Sequence, residues 1–249
     1  MPKRRISSPP FNRHADSYRA HAVVQRRLAD WLAEWIEPAE KLASFSALEL
    51  GAGYGLFTEF LARRCPQVTA TDIAQRMIEL GQQRLPHVDW RVADAWRLES
   101  RPVQRLYSAS LVHWCADPVA VLRRWLRYVT PNGRMLHGFF VSPTLTEWQS
   151  IVGDYSVVRW RDSLQWQAIL SHAGWRTVRC ETMKHVQYFE SARHLLRFLH
   201  FTGAVPPCKS PVAILRHRIR EYERLFASGL GSYGVRSTWT LMRIEVVVN

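Results

Sequence analysis

Short apolar segments alternate with helical patterns over residues 46–141, and this alternation limits the possible folds more than any other feature of the chain. The apolar segments are residues 46–50, 68–72, 88–94, 106–112 and 134–141. Helical spacing of apolar residues is found in residues 56–64, 74–84 and 117–129. Strands that alternate with helices form a mostly parallel sheet with helices on both faces. We therefore expect an α/β fold with a doubly wound sheet.

The segments on either side of this region are patterned differently. A helix is predicted over residues 19–36, and Pro38 limits it. After about residue 145, helices are predicted over 162–172, 191–201 and 211–227, and strands over 175–180 and 239–248. We expect this C-terminal part to complete the sheet and to add a helical lid or lobe, without forming an independent domain.

Composition indicates an ordinary globular chain. Of the 249 residues, 47% are hydrophobic and 22% are charged. No apolar run approaches the roughly 18 residues of a membrane span, and no apolar segment follows the basic first ten residues to make a secretory signal. The four cysteines are scattered, without metal-ligand or disulfide spacing. These features predict a cytoplasmic protein without a metal site.

The net charge of +13 favours an anionic partner. Nucleic acid, an acidic protein and a membrane face are all compatible with this charge. The charge by itself says nothing about chemistry.

A glycine-rich turn follows the first predicted strand and opens the next helix. It reads E-L-G-A-G-Y-G over residues 49–55. Glycines at 51, 53 and 55 allow a tight turn and a close approach of the backbone to a ligand. The G-x-G-x-G spacing differs from the G-x-G-x-x-G of dinucleotide-binding proteins, and the turn lacks the Lys-Ser/Thr ending of a phosphate loop. A plain strand–helix turn is the alternative explanation.

Two carboxylates end the next two predicted strands. Asp72 ends the second strand, where an acidic side chain can accept hydrogen bonds from both ribose hydroxyls, and Asp94 ends the third in V-A-D-A. Each alone is compatible with a solvated strand end. Together with Glu49 they place three acids at the carboxyl ends of consecutive strands, where ligands bind in open α/β sheets.

These residues resemble the class I S-adenosylmethionine-dependent methyltransferases over about residues 46–141. The resemblance implies a Rossmann-like fold that binds S-adenosyl-L-methionine. It implies that Gly51, Gly53 and Gly55 pack against the methionyl part, with Glu49 supporting the loop. It implies that Asp72 holds the ribose and that Asp94 and Ala95 flank the adenine. The remaining cofactor contacts expected are Ala52, Ile73, Met77 and Leu111.

Flanking segments are similar to the BioC family of malonyl-acyl-carrier-protein O-methyltransferases, which start pimeloyl synthesis for biotin. The matching segments, in the family's order, are residues 11–29, 113–118, 198–204, 210–224 and 237–241. The resemblance implies an N-terminal lid and helix over 1–45 and a methyltransferase domain over 46–249, with a helical insertion at about 185–230. The sequence departs from the family at Ala109, His113, His200 and Trp239, near the expected substrate mouth.

The implied reaction is methylation of the free carboxylate of a malonyl thioester. Such a carboxylate is ionised near neutral pH, so no general base is needed, but selecting it calls for a cation. Arg197, beside His200, is our candidate for that cation. Tyr18 is a candidate lid residue over the sulfonium, and His113 either orients the substrate or caps the fourth strand. A solvated Arg197 and an ordinary buried Tyr18 are the alternatives.

An acidic acyl carrier protein bearing the malonyl group would give the positive charge a partner. Arg216, Arg220 and Arg224 recur every four residues along one face of the helix predicted at 211–227. Such a row suits an acidic partner and would mainly speed encounter. A solvated face with local partners such as Glu221 and Glu223 explains the row equally simply.

Two rival functions stay open. One keeps the cofactor but methylates RNA or another small molecule, which the basic composition makes worth testing. The other is a cofactor-binding assembly factor without methyltransferase activity, which the loss of Asn at position 109 keeps open.

Overall fold

The computed structural model describes residues 12, 15, 18, 21–153, 158–202, 212–230 and 233–249. The strands are β1 (Ser46–Leu50), β2 (Gln67–Asp72), β3 (Asp89–Val92), β4 (Val103–Ala109), β5 (Val129–Phe140), β6 (Trp175–Phe189), β7 (Ala227–Leu230) and β8 (Tyr233–Val248). The α-helices are α1 (Val23–Ala33), α2 (Ala39–Leu42), α3 (Thr58–Ala62), α4 (Gln75–Arg84), α5 (Pro118–Trp125), α6 (Thr146–Val152), α7 (Ser163–His172), α8 (Ala192–Phe201) and α9 (Val212–Leu225).

The strands form one sheet in the order β3-β2-β1-β4-β5-β8-β6, and β7 pairs with β8. Strands β1 to β5 are parallel to one another. Strand β8 is antiparallel to β5, and β6 is antiparallel to β8. The chain runs outward from β1 to β3 and then returns to place β4 on the other side of β1. This reversal between β1 and β4 opens a crevice at their carboxyl ends, as in other doubly wound sheets. The predicted α/β fold is confirmed.

Local sequence explains where several helices begin. Asp117 caps α5 by accepting from the Ala120 N–H, and Pro118 follows at a position that needs no intrahelical donor. Asp162 and Gln165 form a reciprocal capping box at the start of α7. Each cap supplies partners to backbone groups that the first helical turn leaves unpaired.

Both faces of the sheet are covered by apolar side chains. On one face the largest buried residues belong to α5, α7 and the start of β6, among them Trp125, Trp166 and Trp175. On the other face α1, α2 and α3 pack against β1, β2 and β4. A third cluster joins α1, α6, α8 and α9 to the amino-terminal half of β8 and includes the fully buried Trp239.

The two C-terminal strands are longer than predicted. Strand β6 continues to Phe189 and pairs with β8 throughout, and β8 begins at Tyr233. Helix α6 and strand β7 had no sequence prediction. Part of the predicted helix over 19–36 and part of the resemblance segments at 11–29, 198–204 and 210–224 lie outside the described residues.

No described helix is both long enough and apolar enough to cross a membrane. Within the described ranges, no cluster of three or more His, Cys, Asp or Glu side chains is arranged to hold a metal ion. Cys65, Cys115 and Cys180 are present as free thiols.

Candidate active site

A cavity lies at the carboxyl ends of β1, β2, β3 and β4, at the crevice that the strand order creates. It encloses about 1150 Å³, including its open mouth. Its wall is built from the loops that follow these strands, from α1, from the end of β5 and from Trp239 within β8. A site in this position draws its residues from distant parts of the chain, while the sheet fixes their relative positions.

The glycine loop forms one end of the cavity. Gly51, Gly53 and Gly55 have φ values of 66°, 57° and 95°, which L residues rarely adopt. A Cβ on Gly51 would lie 2.8 Å from Leu111 Cδ1, whereas a Cβ on Gly53 would have no neighbour within 4 Å. Gly53 lines the cavity, so that space is open to a ligand. The loop therefore fits the close approach that the methionyl part of the cofactor requires.

Two acids lie beside this loop, and Asp72 ties it to β2. Asp72 accepts hydrogen bonds from the Gly53 N–H at 2.9 Å and from the Ala74 N–H at 2.8 Å. Desolvation nevertheless raises the pKa of Asp72. Glu49 is 1% exposed on β1, its Oε2 has no hydrogen-bond partner among the described residues, and burial raises its pKa to about 8. Both carboxyl groups line the cavity and can receive hydrogen bonds from a ligand.

The other residues expected at the cofactor occupy the same wall. Ten of the eleven line the cavity: Glu49, Gly51, Ala52, Gly53, Asp72, Ile73, Met77, Asp94, Ala95 and Leu111. Asp94 Oδ1 accepts from the Trp96 N–H at 2.9 Å, which fixes the turn after β3. Gly55 is the exception, because it faces away from the cavity and a Cβ there would lie 3.0 Å from Trp90 Cη2.

An aromatic compartment forms the opposite end of the cavity. His113 is 5% exposed and stacks on Trp160, with ring centroids 5.9 Å apart. Phe140 lies between His113 and Trp239, with centroid distances of 5.2 Å and 5.3 Å. Burial lowers the pKa of His113 to about 3, so its imidazole is neutral at physiological pH. This compartment can hold an apolar or desolvated acceptor.

Tyr18 also lines the cavity. Its ring packs edge-on against Tyr54, with centroids 6.2 Å apart. Burial raises the pKa of the Tyr18 phenol, which keeps the hydroxyl protonated. This position is compatible with the predicted contact near the sulfonium.

Arg197 and His200 do not reach the cavity wall. Both lie on the exposed face of α8, because Leu195, Phe198 and Leu199 turn the opposite face into the core. The cation that the sequence suggested for the acceptor carboxylate is therefore not at the described site. None of the described residues that line the cavity is Arg or Lys.

Arg216, Arg220 and Arg224 lie elsewhere, on the exposed side of α9. Arg216 and Arg220 line a shallow groove with Arg193 of α8, and Glu223 lines the same groove. The predicted row is thus a surface feature, separate from the cavity.

Several cavity residues had no prediction as site residues. They are Gln25, Ser110, Trp114, Phe140, Trp160 and Thr202. Ser110 has a φ of 61°, uncommon for a residue other than glycine, and directly follows β4, which was the available signal for it. Trp239, which the resemblance had placed near the substrate mouth, lines the cavity because β8 pairs with β5.

Residues 48–137 match the model of a methyltransferase domain. This match, the strand order and the glycine-loop cavity define the chain as a class I S-adenosylmethionine-dependent methyltransferase. S-adenosyl-L-methionine is its cofactor, and the Gly53 opening and the neighbouring acids fit that molecule.

Within this class, the sequence is similar to proteins of biotin synthesis. It is 29% identical over 219 residues to the malonyl-[acyl-carrier protein] O-methyltransferase of Paenibacillus sp. strain JDR-2, covering 78% of this chain and 79% of that protein. It is 29% identical over 209 residues to the biotin biosynthesis bifunctional protein BioHC of Cellvibrio japonicus, covering 81% of this chain and 41% of that one. The chain thus spans less than half the length of the bifunctional relative.

Among solved structures, the fold is similar to that of the YcgJ protein of Bacillus subtilis. The two share a TM-score of 0.64 and 14% identity over 90% of this chain and 98% of the other. At this identity the likeness concerns the fold.

Proposed function

We propose that this enzyme methylates the free carboxylate of a malonyl thioester, as an O-methyltransferase, to give the methyl ester that starts pimeloyl and biotin synthesis. The observation that carries the proposal is the extent of the similarity to the Paenibacillus malonyl-[acyl-carrier protein] O-methyltransferase. The 219 aligned residues cover 78% of this chain, far more than residues 48–137 of the general methyltransferase domain. The proposal includes a cytoplasmic location.

In this reaction the protein has to position the two reactants and remove water from them. When bound, S-adenosyl-L-methionine would supply an electrophilic methyl group for transfer to the carboxylate oxygen, and S-adenosylhomocysteine would be the leaving group. No proton moves, so no general base is required. Proximity and alignment in a dry compartment then provide the rate enhancement. The walls of the compartment, including Phe140 and Trp160, present aromatic surface to that position.

In this proposal the two ends of the cavity have separate tasks. Gly51, Gly53 and Asp72 hold the methionyl and ribose parts of the cofactor, and Asp94 with Ala95 flanks its adenine. The acceptor enters the aromatic compartment beside His113. Tyr18 lies over the donor end and helps to close it.

We further propose that an acidic acyl carrier protein presents the malonyl group and docks on α9. Its row of Arg216, Arg220 and Arg224 is exposed, and none of the three forms an ion pair with a described residue. Glu221, a potential local partner, instead lies 3.8 Å from His217. Unpaired guanidinium groups on one helix face suit the acidic surface of such a carrier.

A methyl-transfer assay tests the reaction. Protein is incubated with S-adenosylmethionine labelled in its methyl group and with malonyl-carrier protein, malonyl-CoA or bulk RNA. We expect label on the malonyl thioesters that mild base removes, as it hydrolyses an ester. Label found only in RNA, or in none of the acceptors, contradicts the proposal.

Charge reversal tests the docking face. Changing Arg216, Arg220 and Arg224 to Glu should lower kcat/KM for malonyl-carrier protein roughly tenfold or more, while malonyl-CoA turnover stays near the wild-type value. The control changes three exposed cations remote from α9, Arg101, Arg176 and Lys184, to Glu and alters the net charge equally. Equal losses in both variants, or on both substrates, remove the docking proposal.

A further inference from the structure

The aromatic compartment contains polar atoms that the described part of the chain leaves without partners. Trp239 Nε1, Ser110 Oγ and His113 Nδ1 are all buried and have no hydrogen-bond partner among the described residues. All three residues line the same cavity. A buried polar group that is left unpaired destabilises the protein, so most buried polar groups have a partner. The shared cavity is where a ligand can supply one.

The chemistry of Trp239 restricts what that partner is. An indole N–H donates a hydrogen bond and cannot accept one. A ligand that satisfies it must therefore present an acceptor atom, and a carboxylate or carbonyl oxygen is the natural choice. Trp239 is 1% exposed, and the rings of Phe140 and Phe198 lie 5.3 Å and 5.7 Å from it. Its N–H is thus held in a fixed place.

The backbone of Ser110 is a second indication of a ligand-binding site. Its φ of 61° is a strained conformation for a residue with a side chain. Its N–H donates to the Gly138 carbonyl at 2.8 Å, which anchors this residue to β5. The fold therefore holds the Ser110 hydroxyl at the carboxyl end of β4, where it can donate to a ligand. Strained residues of this kind concentrate at functional sites.

We propose that the Trp239 indole N–H and the Ser110 hydroxyl hold the oxygen atoms of the acceptor beside His113, as neutral donors in an aromatic compartment. The inference rests on the proposed function and adds positioning residues for its acceptor. Neutral donors orient an oxyanion without pairing it to a fixed charge, so it reaches the methyl group desolvated. This agrees with the lack of Arg and Lys among the described residues of the wall and with the neutral imidazole of His113.

Two substitutions remove the donors and keep the shape. Trp239→Phe deletes the indole N–H and keeps an aromatic ring, and Ser110→Ala deletes the hydroxyl and keeps the Cβ. Each should lower kcat/KM for malonyl-pantetheine roughly 10- to 100-fold, as expected for a hydrogen bond to a charged acceptor. S-adenosylmethionine affinity, measured by titration calorimetry, should stay within about twofold of the wild-type value.

Trp166 offers a matched control. Its Nε1 is also buried without a hydrogen-bond partner, and its side chain is 1% exposed, but it packs against Phe139 in the core and does not line the cavity. Trp166→Phe therefore removes an equivalent indole N–H and should leave methyl transfer near the wild-type rate. Loss of activity in the control as large as in Trp239→Phe would assign both effects to core packing.

Indole N–H resonances report on the contact directly. Protein saturated with S-adenosylhomocysteine is titrated with malonyl-pantetheine or with butyryl-pantetheine, which lacks the carboxylate. We expect the Trp239 resonance to move downfield with malonyl-pantetheine and less with butyryl-pantetheine, and the Trp166 resonance to stay in place. An unmoved Trp239 resonance overturns the inference, whether or not methyl transfer occurs. If the wild-type protein methylates no malonyl thioester but the Trp239 resonance moves, the proposed function fails and the oxygen-binding subsite stands.

Discussion

Adding one methyl group at Gly53 should separate cofactor binding from stability. Gly53 has a φ of 57°, and a Cβ there would have no neighbour within 4 Å. In the folded protein without cofactor, Gly53→Ala therefore acts mainly through the backbone, because a residue with a Cβ is disfavoured at this φ. We expect it to lower the unfolding free energy by about 1 kcal/mol. The new methyl occupies space at the cavity wall that the cofactor needs. Overpacking of this size costs about 1–3 kcal/mol, so S-adenosylmethionine should bind roughly 10- to 100-fold more weakly.

Urea unfolding and titration calorimetry measure the two effects on the same preparations. Gly229→Ala is the control, because Gly229 also has a positive φ of 65° with no neighbour within 4 Å of a Cβ, but lies on β7 outside the cavity. Gly229→Ala should lose similar stability and keep its cofactor affinity. Wild-type affinity in Gly53→Ala, or equal loss of affinity in both variants, would refute the assignment of this loop to the cofactor.

Two further predictions concern the acids of the donor end. Burial raises the pKa of Glu49 from 4.5 to about 8, so the folded protein binds this proton more tightly than the unfolded chain. The contribution of Glu49 to the unfolding free energy of the unliganded protein should therefore be greatest below pH 4.5 and fall up to pH 8, by up to about 1.4 kcal/mol per pH unit, and it is measured as the difference between wild type and Glu49→Gln. Urea titrations should show this slope removed in Glu49→Gln; an unchanged slope would assign it to other groups. In the wild type, Asp72 Oδ2 accepts from the Gly53 N–H and Oδ1 from the Ala74 N–H, so Asp72→Asn keeps an acceptor for only one of them. Calorimetry should show S-adenosylmethionine affinity lowered about tenfold or more. Wild-type affinity would exclude a ribose contact at Asp72.

The sequence predicted the donor half of the molecule well because its signals are local. Strand–helix alternation specifies the parallel sheet, and glycines at positions with positive φ mark the loop after β1. Asp72 ends β2, and Asp94 lies in the turn directly after β3, so the sheet itself brings them to one edge. These features depend on residues that are close in the chain.

The acceptor half depends on packing between distant segments. Arg197 lies in a correctly predicted helix. One face of α8 is buried against the third apolar cluster, and Arg197 lies on the opposite, exposed face. Trp239 reaches the cavity because β8 pairs with β5. No local pattern in the sequence encodes either outcome, nor the continuation of β6 to Phe189 at the edge of the sheet.

Part of the positive charge is structural. Arg243 is 6% exposed, stacks on Trp31 and Trp35, and bonds Glu34 at 2.8 Å and Glu181 at 2.7 Å. Ion pairs of this kind attach α1 to the sheet. A cation paired in this way contributes little to the electrostatic potential at the surface that a binding partner contacts. The exposed guanidinium groups of Arg216, Arg220 and Arg224 on α9 present their charge to solvent instead, which is why the docking proposal rests on them.

Mass spectrometry of the acceptor tests the central claim most directly. Malonyl-carrier protein is incubated with the enzyme and S-adenosylmethionine, and the acyl group is then released and analysed. The account predicts that the malonyl group gains one methyl, located on the carboxylate oxygen and lost on mild alkaline hydrolysis. A malonyl group left unmodified, or methylated at carbon, would contradict it.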